Sequence, residues 1–145
     1  MKISTKGRYA LRMLLDLAEH QEQDYISLKE IAERQHISKK YLEQIVPMLN
    51  KSRLLRTNRG NKGGYMLAKS ANLITVGDVL RATEGNLAPV SCLEYPENTC
   101  DLAESCATLY VWEGLYQTIR KYLDSITLQD ILCHNTEYIG NDYCI

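Results

Sequence analysis

Ser27-Leu-Lys-Glu-Ile-Ala-Glu-Arg-Gln-His-Ile-Ser38-Lys-Lys-Tyr-Leu-Glu-Gln-Ile-Val-Pro-Met-Leu-Asn-Lys51 is the stretch on which the fold turns. Ser27 and Glu30 have capping-box spacing, and Leu28, Ile31 and Ala32 share one side of the helix that follows. That pattern stops around Gln35-His36-Ile37. Ser38 opens a second helix, which turns Leu42, Ile45, Val46 and Leu49 inward. Two short helices joined by a turn of three or four residues form a helix-turn-helix. Pro47 lacks a backbone donor and presses on the carbonyl of Glu43, so a kink that fits the helix round the core is expected there.

Upstream, Ser4 or Thr5 caps a helix expected from about residue 5 to about residue 20, with Ala10, Leu14, Leu17 and Ala18 at three-and-four spacing and Leu11 and Leu15 widening the face. Downstream, two strand-like runs, Leu54–Thr57 and Tyr65–Ala68, flank a tip with Gly60, Gly63 and Gly64 among Arg56, Arg59 and Lys62. Glycines permit the tight turn of a ribbon, and cations at its tip reach phosphates or a minor groove. Directly after a helix-turn-helix, such a ribbon reads as a wing. A short helix from about Val76 to Glu84 follows, closed by Gly85.

The longest helical pattern runs from about Leu102 to Asp124, with Leu109, Trp112, Tyr116, Ile119 and Leu123 as its stripe. Leu115, Tyr122 and Ile126 broaden that stripe beyond one face. A helix apolar over so much of its girth is buried on two sides, and a symmetric dimer seam is the expected cover for the second. Thr127–Leu132 reads as a last short helix, and Cys133–Ile145 shows no clear pattern. The expected fold class is mainly α with a small β-wing. Residues 1–70 form a winged helix-turn-helix module for DNA. Residues 71–145 hold a sensor loop (about 86–106), a dimerisation helix (about 102–124), the short helix and the tail.

At 145 residues and 45% hydrophobic content the chain can bury a real core. Its net charge of -1 conceals a dipole: residues 1–70 carry 14 Lys+Arg against 7 Asp+Glu, and residues 71–145 carry 3 against 11. A basic half of this kind is the electrostatic footprint of nucleic-acid binding. The N-terminus lacks the apolar run of a secretory signal, and no stretch approaches the roughly 18 apolar residues that span a bilayer. No membrane partner and a cytoplasmic location are expected. There, five cysteines point to metal or redox chemistry rather than to a disulfide framework.

Three of the cysteines fall within Cys92-Leu-Glu-Tyr-Pro-Glu-Asn-Thr-Cys100-Asp-Leu-Ala-Glu-Ser-Cys106. Thiolates are soft ligands suited to iron-sulfur clusters, and a loop lets three converge without a helical register. Intervals of seven and five residues differ from the paired Cys-x-x-Cys of a structural zinc knuckle, which puts zinc second. No nucleotide motif or nucleophile-base constellation suggests an enzyme.

Lys2-Ile-Ser-Thr-Lys-Gly-Arg-Tyr-Ala, Ser38-Lys-Lys-Tyr-Leu-Glu-Gln, Arg59-Gly-Asn-Lys-Gly-Gly-Tyr, Ile74-Thr-Val-Gly-Asp-Val and Ile126-Thr-Leu-Gln-Asp-Ile occur in this order. Together they resemble the bacterial winged-helix regulators typified by IscR, NsrR and CymR, over the whole chain up to the tail. The resemblance implies a homodimer on double-stranded DNA, reading an operator with two half-sites about one helical turn apart. It places Ser38, Lys39, Lys40, Tyr41, Glu43 and Gln44 toward the major groove and Arg59 in the minor groove, with Lys2 and Lys62 completing the DNA-binding set. Leu109, Trp112, Tyr116, Ile119 and Leu123 would line the dimer seam. The chemistry agrees, since Gln pairs with adenine, Glu accepts from the cytosine amino group, and Lys suits phosphate or guanine.

For the sensor, the resemblance to cluster-binding members implies a [2Fe–2S] or [4Fe–4S] cluster on Cys92, Cys100 and Cys106. The CymR type lacks these cysteines, and a cluster-free regulator responding by thiol oxidation or a protein partner is the alternative. The familiar fourth ligands are missing. The position of the IscR-type histidine holds Leu109, and the position of the NsrR-type acidic residue holds Arg8. Glu104, Thr108, Cys133, His134, Cys144 and an exogenous ligand stay open.

Overall fold

The structure is a computed structural model, and it describes residues 1–138. Six helices and one two-stranded ribbon follow in order: α1 (Thr5–Glu19), α2 (Leu28–Gln35), α3 (Lys39–Lys51), β1 (Leu55–Asn58), β2 (Gly64–Leu67), α4 (Val76–Glu84), α5 (Leu109–Ser125) and α6 (Leu128–Tyr138). The caps sit where the side chains allow them. Ser4 accepts the Gly7 N–H, Ser38 accepts the Tyr41 N–H, and Ser27/Glu30 and Thr75/Asp78 close full capping boxes. Each such cap contributes about 1 kcal/mol by satisfying an otherwise orphan helix N–H.

One core joins α1, α2 and α3. Met13 and Leu14 of α1 meet Ile31 of α2 and Leu42, Ile45 and Leu49 of α3, all fully buried. β1 and β2 pair antiparallel from Leu55↔Leu67 to Asn58↔Gly64, one residue offset from the strand-like runs read in the sequence. Ile26 adds a bridge to the ribbon, exchanging backbone hydrogen bonds with Tyr65 at 2.9 and 2.8 Å. That pairing requires Gly64, where a Cβ would stand 2.4 Å from the Ile26 carbonyl oxygen. α3 runs on past Pro47 to Lys51. Pro47 lies on the exposed side, as does Glu43, whose carbonyl it deprives of a donor.

The C-terminal half is tied into the same core. Ile74 and Val79 belong to it, and so does Leu128 at the start of α6. The segments leading into α4 and α6 pair through Val76 N–H to Ile126 O (2.8 Å) and Leu128 N–H to Ile74 O (2.9 Å), which drives Leu128 inward. Full burial of a leucine contributes roughly 1.5–3 kcal/mol. A satellite cluster of Val76, Leu80 and Leu87 seats α5 through Tyr116 and Leu123.

Two helix boundaries also differ from the sequence reading. α5 begins at Leu109 rather than near Leu102: Ala103–Ser105 is a single 3-10 turn, and Cys106 is extended (φ -76°, ψ 102°), which interrupts the helical ladder. α6 extends to Tyr138, six residues beyond the short helix anticipated, although Leu128 is its one fully buried residue. Among the described residues no helix is long and apolar enough to cross a membrane.

Candidate nucleic-acid interface and cysteine loop

In the first turns of α3, the residues expected to face DNA lie mostly at the surface. Ser38, Lys39, Lys40, Glu43 and Gln44 are exposed, while Leu42, Ile45 and Val46 hold the helix down from the opposite side. Lys39 Nζ lies 3.9 Å from Glu43 Oε1 across one turn. An exposed pair of this kind contributes about 0–1 kcal/mol, so both side chains are free to exchange one another for a better partner. Tyr41 is divided between roles: its ring is half-buried and meets Tyr9 of α1 edge-on, centroids 5.3 Å apart.

The wing folds back beside this face. Arg59, Gly60, Asn61 and Lys62 are exposed at its tip, with Gly60 at φ +119°, a backbone open to glycine and few other residues. Thr57 Oγ1 donates to Asn50 Oδ1 at 3.1 Å and moors β1 to the end of α3. Between α3 and the wing lies a cleft of about 530 Å³ lined by Lys29, Lys39, Glu43, Asn50, Thr57 and Arg59 among others. Lys2 is exposed on the segment leading into α1.

The reader also depends on residues that the sequence reading passed over. Asp16 is 1% exposed, on the core side of α1 between Met13 and Leu17. It accepts from Arg34 Nε (3.0 Å) and Nη2 (2.7 Å) and from Gln35 Nε2 (3.0 Å), so the end of α2 is clamped to α1. That contact with the Asp16 carboxylate is the main reason the Arg34 pKa is raised. Arg12, stacked over the Tyr9 ring at 5.5 Å, donates to the Gln35 carbonyl at the turn before α3. A carboxylate at a core position of an amphipathic helix was the available signal, because such a group is rarely buried without a partner.

The cysteine loop occupies residues 86–108, between α4 and α5, with two single 3-10 turns at Ser91–Leu93 and Ala103–Ser105. Cys92 is half-buried, Cys100 and Cys106 are exposed, and all three thiols are free. Asn98 Oδ1 accepts the Cys100 N–H at 3.0 Å, a local turn. Cys106 Sγ lies 3.6 Å from Thr108 Oγ1, just ahead of α5. Hydrogen bonding from the Thr108 hydroxyl, then from the Thr108 and Leu109 backbone, holds the Cys106 thiol below the ordinary range.

The sequence model of the Rrf2 family, described as an iron-dependent transcriptional regulator, matches residues 3–134. The chain belongs to the Rrf2 family. It is 41% identical to Protein rrf2 of Nitratidesulfovibrio vulgaris over 91% of this chain and 87% of that one. The solved structure of CymR, the global cysteine regulator of B. subtilis, is 38% identical, covers 92% of this chain and 98% of that one, and superposes with a TM-score of 0.74. T. potens IscR is 36% identical, covers 100% and 93%, and has a TM-score of 0.71. This Rrf2-family chain is therefore a winged-helix transcriptional regulator and not an enzyme.

The Rrf2-family loop suits a cluster in its donor chemistry but not in its arrangement here. Three thiols are available, yet among the described residues no three His, Cys, Asp or Glu side chains gather closely enough to hold a metal ion. Of the open fourth-ligand positions, Thr108 is in contact with a loop sulfur. Glu104 lies in the loop itself, and His134 lies on α6, as does Cys133, whose sulfur is engaged in a disulfide and is not an available thiolate. Cys144 is outside the described residues.

α5 separates the residues expected at a seam. Tyr116 and Leu123 pack on the cluster built by Val76 and Leu80 of the same chain, and Leu109 and Ile119 are half-buried. Trp112 (37%), Val111 (42%), Leu115 (43%) and Tyr122 (64%) are exposed. Val111, Leu115 and Tyr122, spaced four and seven, form a second apolar face turned away from α4.

Proposed function

We propose that this Rrf2-family regulator is a cytoplasmic homodimer whose residues 1–70 read two operator half-sites and whose residues 71–145 sense and dimerise. Ser38, Lys39, Lys40, Tyr41, Glu43 and Gln44 address the major groove. Arg59 enters the minor groove, and Lys2 and Lys62 approach phosphates. The exposed second face of α5 supports the dimer, because an apolar surface of several large side chains on one helix is rarely left in water.

Cys92, Cys100 and Cys106 are the proposed thiolate ligands of an iron-sulfur cluster. The observation that carries this is three free thiols, two of them exposed, in the one loop that joins α4 to α5. When bound, such a cluster supplies redox- and ligand-sensitive iron. The chain's part is to provide thiolates, which Cys106 does most readily, and to convert a closed loop into a different seating of the reader. Anaerobic treatment with iron and sulfide, followed by visible absorption and iron/sulfide analysis, should give a coloured protein. A colourless product would sink the cluster reading.

One observation favours a second reading, in which the loop responds by thiol oxidation without a cluster: Cys106 is exposed and its thiol is held low. CymR is also as near a relative as IscR. Peroxide-dependent release of DNA by metal-free protein, abolished by Cys106→Ala, would select it.

A further inference from the structure

Glu84 is the last residue of α4, and Gly85 (φ +76°) turns the chain from it into the cysteine loop. Its Oε1 accepts two hydrogen bonds from Ser4, the backbone N–H at 3.0 Å and the hydroxyl at 2.7 Å. Ser4 is the cap of α1, and its hydroxyl oxygen accepts the Gly7 N–H at 3.3 Å. The root of the loop thus grips the first turn of the helix on which the reader is built.

Two unfavourable local choices meet at this contact. A carboxylate in the last turn of a helix opposes the helix dipole, and a glycine inside a helix weakens it. Both are required here: a Cβ at residue 7 would stand 2.4 Å from Glu84 Oε1 and expel it. The other end of α4 is held by a similar device. Asp124 of α5 accepts from Arg81 at 2.6 Å, and a Cβ at Gly77 would stand 2.0 Å from Asp124 Oδ1. From α1 the connection continues through Tyr9 against Tyr41 and through Arg12 to the Gln35 carbonyl, which together set the start of α3.

We propose that Glu84 is a positioning residue through which the state of the cysteine loop sets the seating of α1, and through α1 the recognition helix; the inference rests on the regulatory reading above. A change of pose at Gly85 redirects the last turn of α4. The Glu84 carboxylate then either keeps or releases Ser4, which gives the coupling a two-state element.

The full-length chain tests this in two loop states, thiols free and thiols blocked with N-ethylmaleimide, with the iron- and sulfide-treated form as a third. Backbone amide exchange at Ser4 and Gly7 should differ at least threefold between states in the native chain. It should lose that difference in Glu84→Ala and in Gly7→Ala, the second of which favours helix formation and guards against simple unfolding. The ratio of DNA dissociation constants between states should fall to within twofold of unity in both variants. Equal exchange in every loop state of the native chain overturns the proposal, as does a ratio kept intact in the variants. State-dependent exchange without any change in DNA affinity upholds the Glu84 latch and overturns the regulatory reading instead.

Discussion

Arg34→Ala should be among the most damaging single changes on the reader, although Arg34 itself contacts water. The substitution leaves Asp16, 1% exposed, without the Arg34 hydrogen bonds at 2.7, 3.0 and 3.2 Å. Breaking a buried ion pair by removing one partner costs about 3–5 kcal/mol, because the remaining charge stays out of water. The lower end applies here. Gln35 Nε2 still donates to Asp16, and the Arg34 side chain is 31% exposed, so water follows the truncation inward. The expected loss is therefore about 3 kcal/mol, or roughly 6–12 °C in Tm for a chain of this size. Urea unfolding at one fixed protein concentration measures it, since the stability of the proposed dimer would depend on concentration. Asp16→Leu combined with Arg34→Met should recover most of the loss, because neither charge then needs a partner. A loss under about 1 kcal/mol for Arg34→Ala, typical of an exposed pair, would refute the clamp.

Arg59→Ala should weaken operator binding and, if Arg59 meets a phosphate, lower the slope of log K against log salt by about 0.9, read by fluorescence anisotropy across a salt series. Unchanged binding would remove the wing tip from the interface. Leu115→Glu places a charge on the exposed face of α5 and should weaken self-association by at least about tenfold in sedimentation equilibrium, with the helical content of the monomer retained; an unaltered association constant would move the seam elsewhere. Because the folded Cys106 pKa is lowered, its thiolate persists to lower pH. Its alkylation rate should reach half-maximum below the roughly 8.5 of an unperturbed thiol and shift upward in Thr108→Ala. Identical profiles for the two proteins would discard the hydroxyl contact as the cause. Cys106→Ala should abolish cluster retention, and undiminished visible absorption would take Cys106 out of the ligand set.

The reader was legible because its signals are local and agree. Ser27 with Glu30 and Ser38 before Tyr41 are caps whose hydrogen bonds close within one turn, and the apolar spacing of Leu42, Ile45 and Leu49 has a single satisfactory period. The wing was legible through Gly60 and Gly64, although the strands are offset by one residue: Gly64, without a Cβ, pairs with Asn58 while its neighbour Tyr65 bridges to Ile26. The start of α5 was not legible, since Leu102 fits the stripe of Leu109 and Tyr116 by spacing alone. What ends the helix is the extended backbone of Cys106, which no apolar count reports. α6 was under-read for the opposite reason: Thr127 and Asp130 mark its beginning, but its later turns bury too little to leave a periodic trace. Asp16 with Arg34 and Ser4 with Glu84 join residues 18 and 80 positions apart, and nothing in either local pattern names the partner.

Those long-range contacts also explain how the proposed reader and sensor can share a chain this short. The basic half supplies 14 of the 17 cations, so the proposed DNA face falls within residues 1–70. Its core nevertheless is completed by Ile74, Val79 and Leu128, and α1 is gripped from α4 by Glu84. A sensor that contributes to the reader's core cannot move without changing the reader's stability or pose, because packed interiors transmit displacement rather than absorb it. α4 is the element through which such a displacement passes. It contacts α1 at Glu84 and α5 at Arg81, and glycines at positions 7 and 77 let both contacts close to hydrogen-bond distance. In the proposed coupling, a loop event at Gly85 would reach the reading head through one turn of α4 and the cap of α1, without a separate hinge.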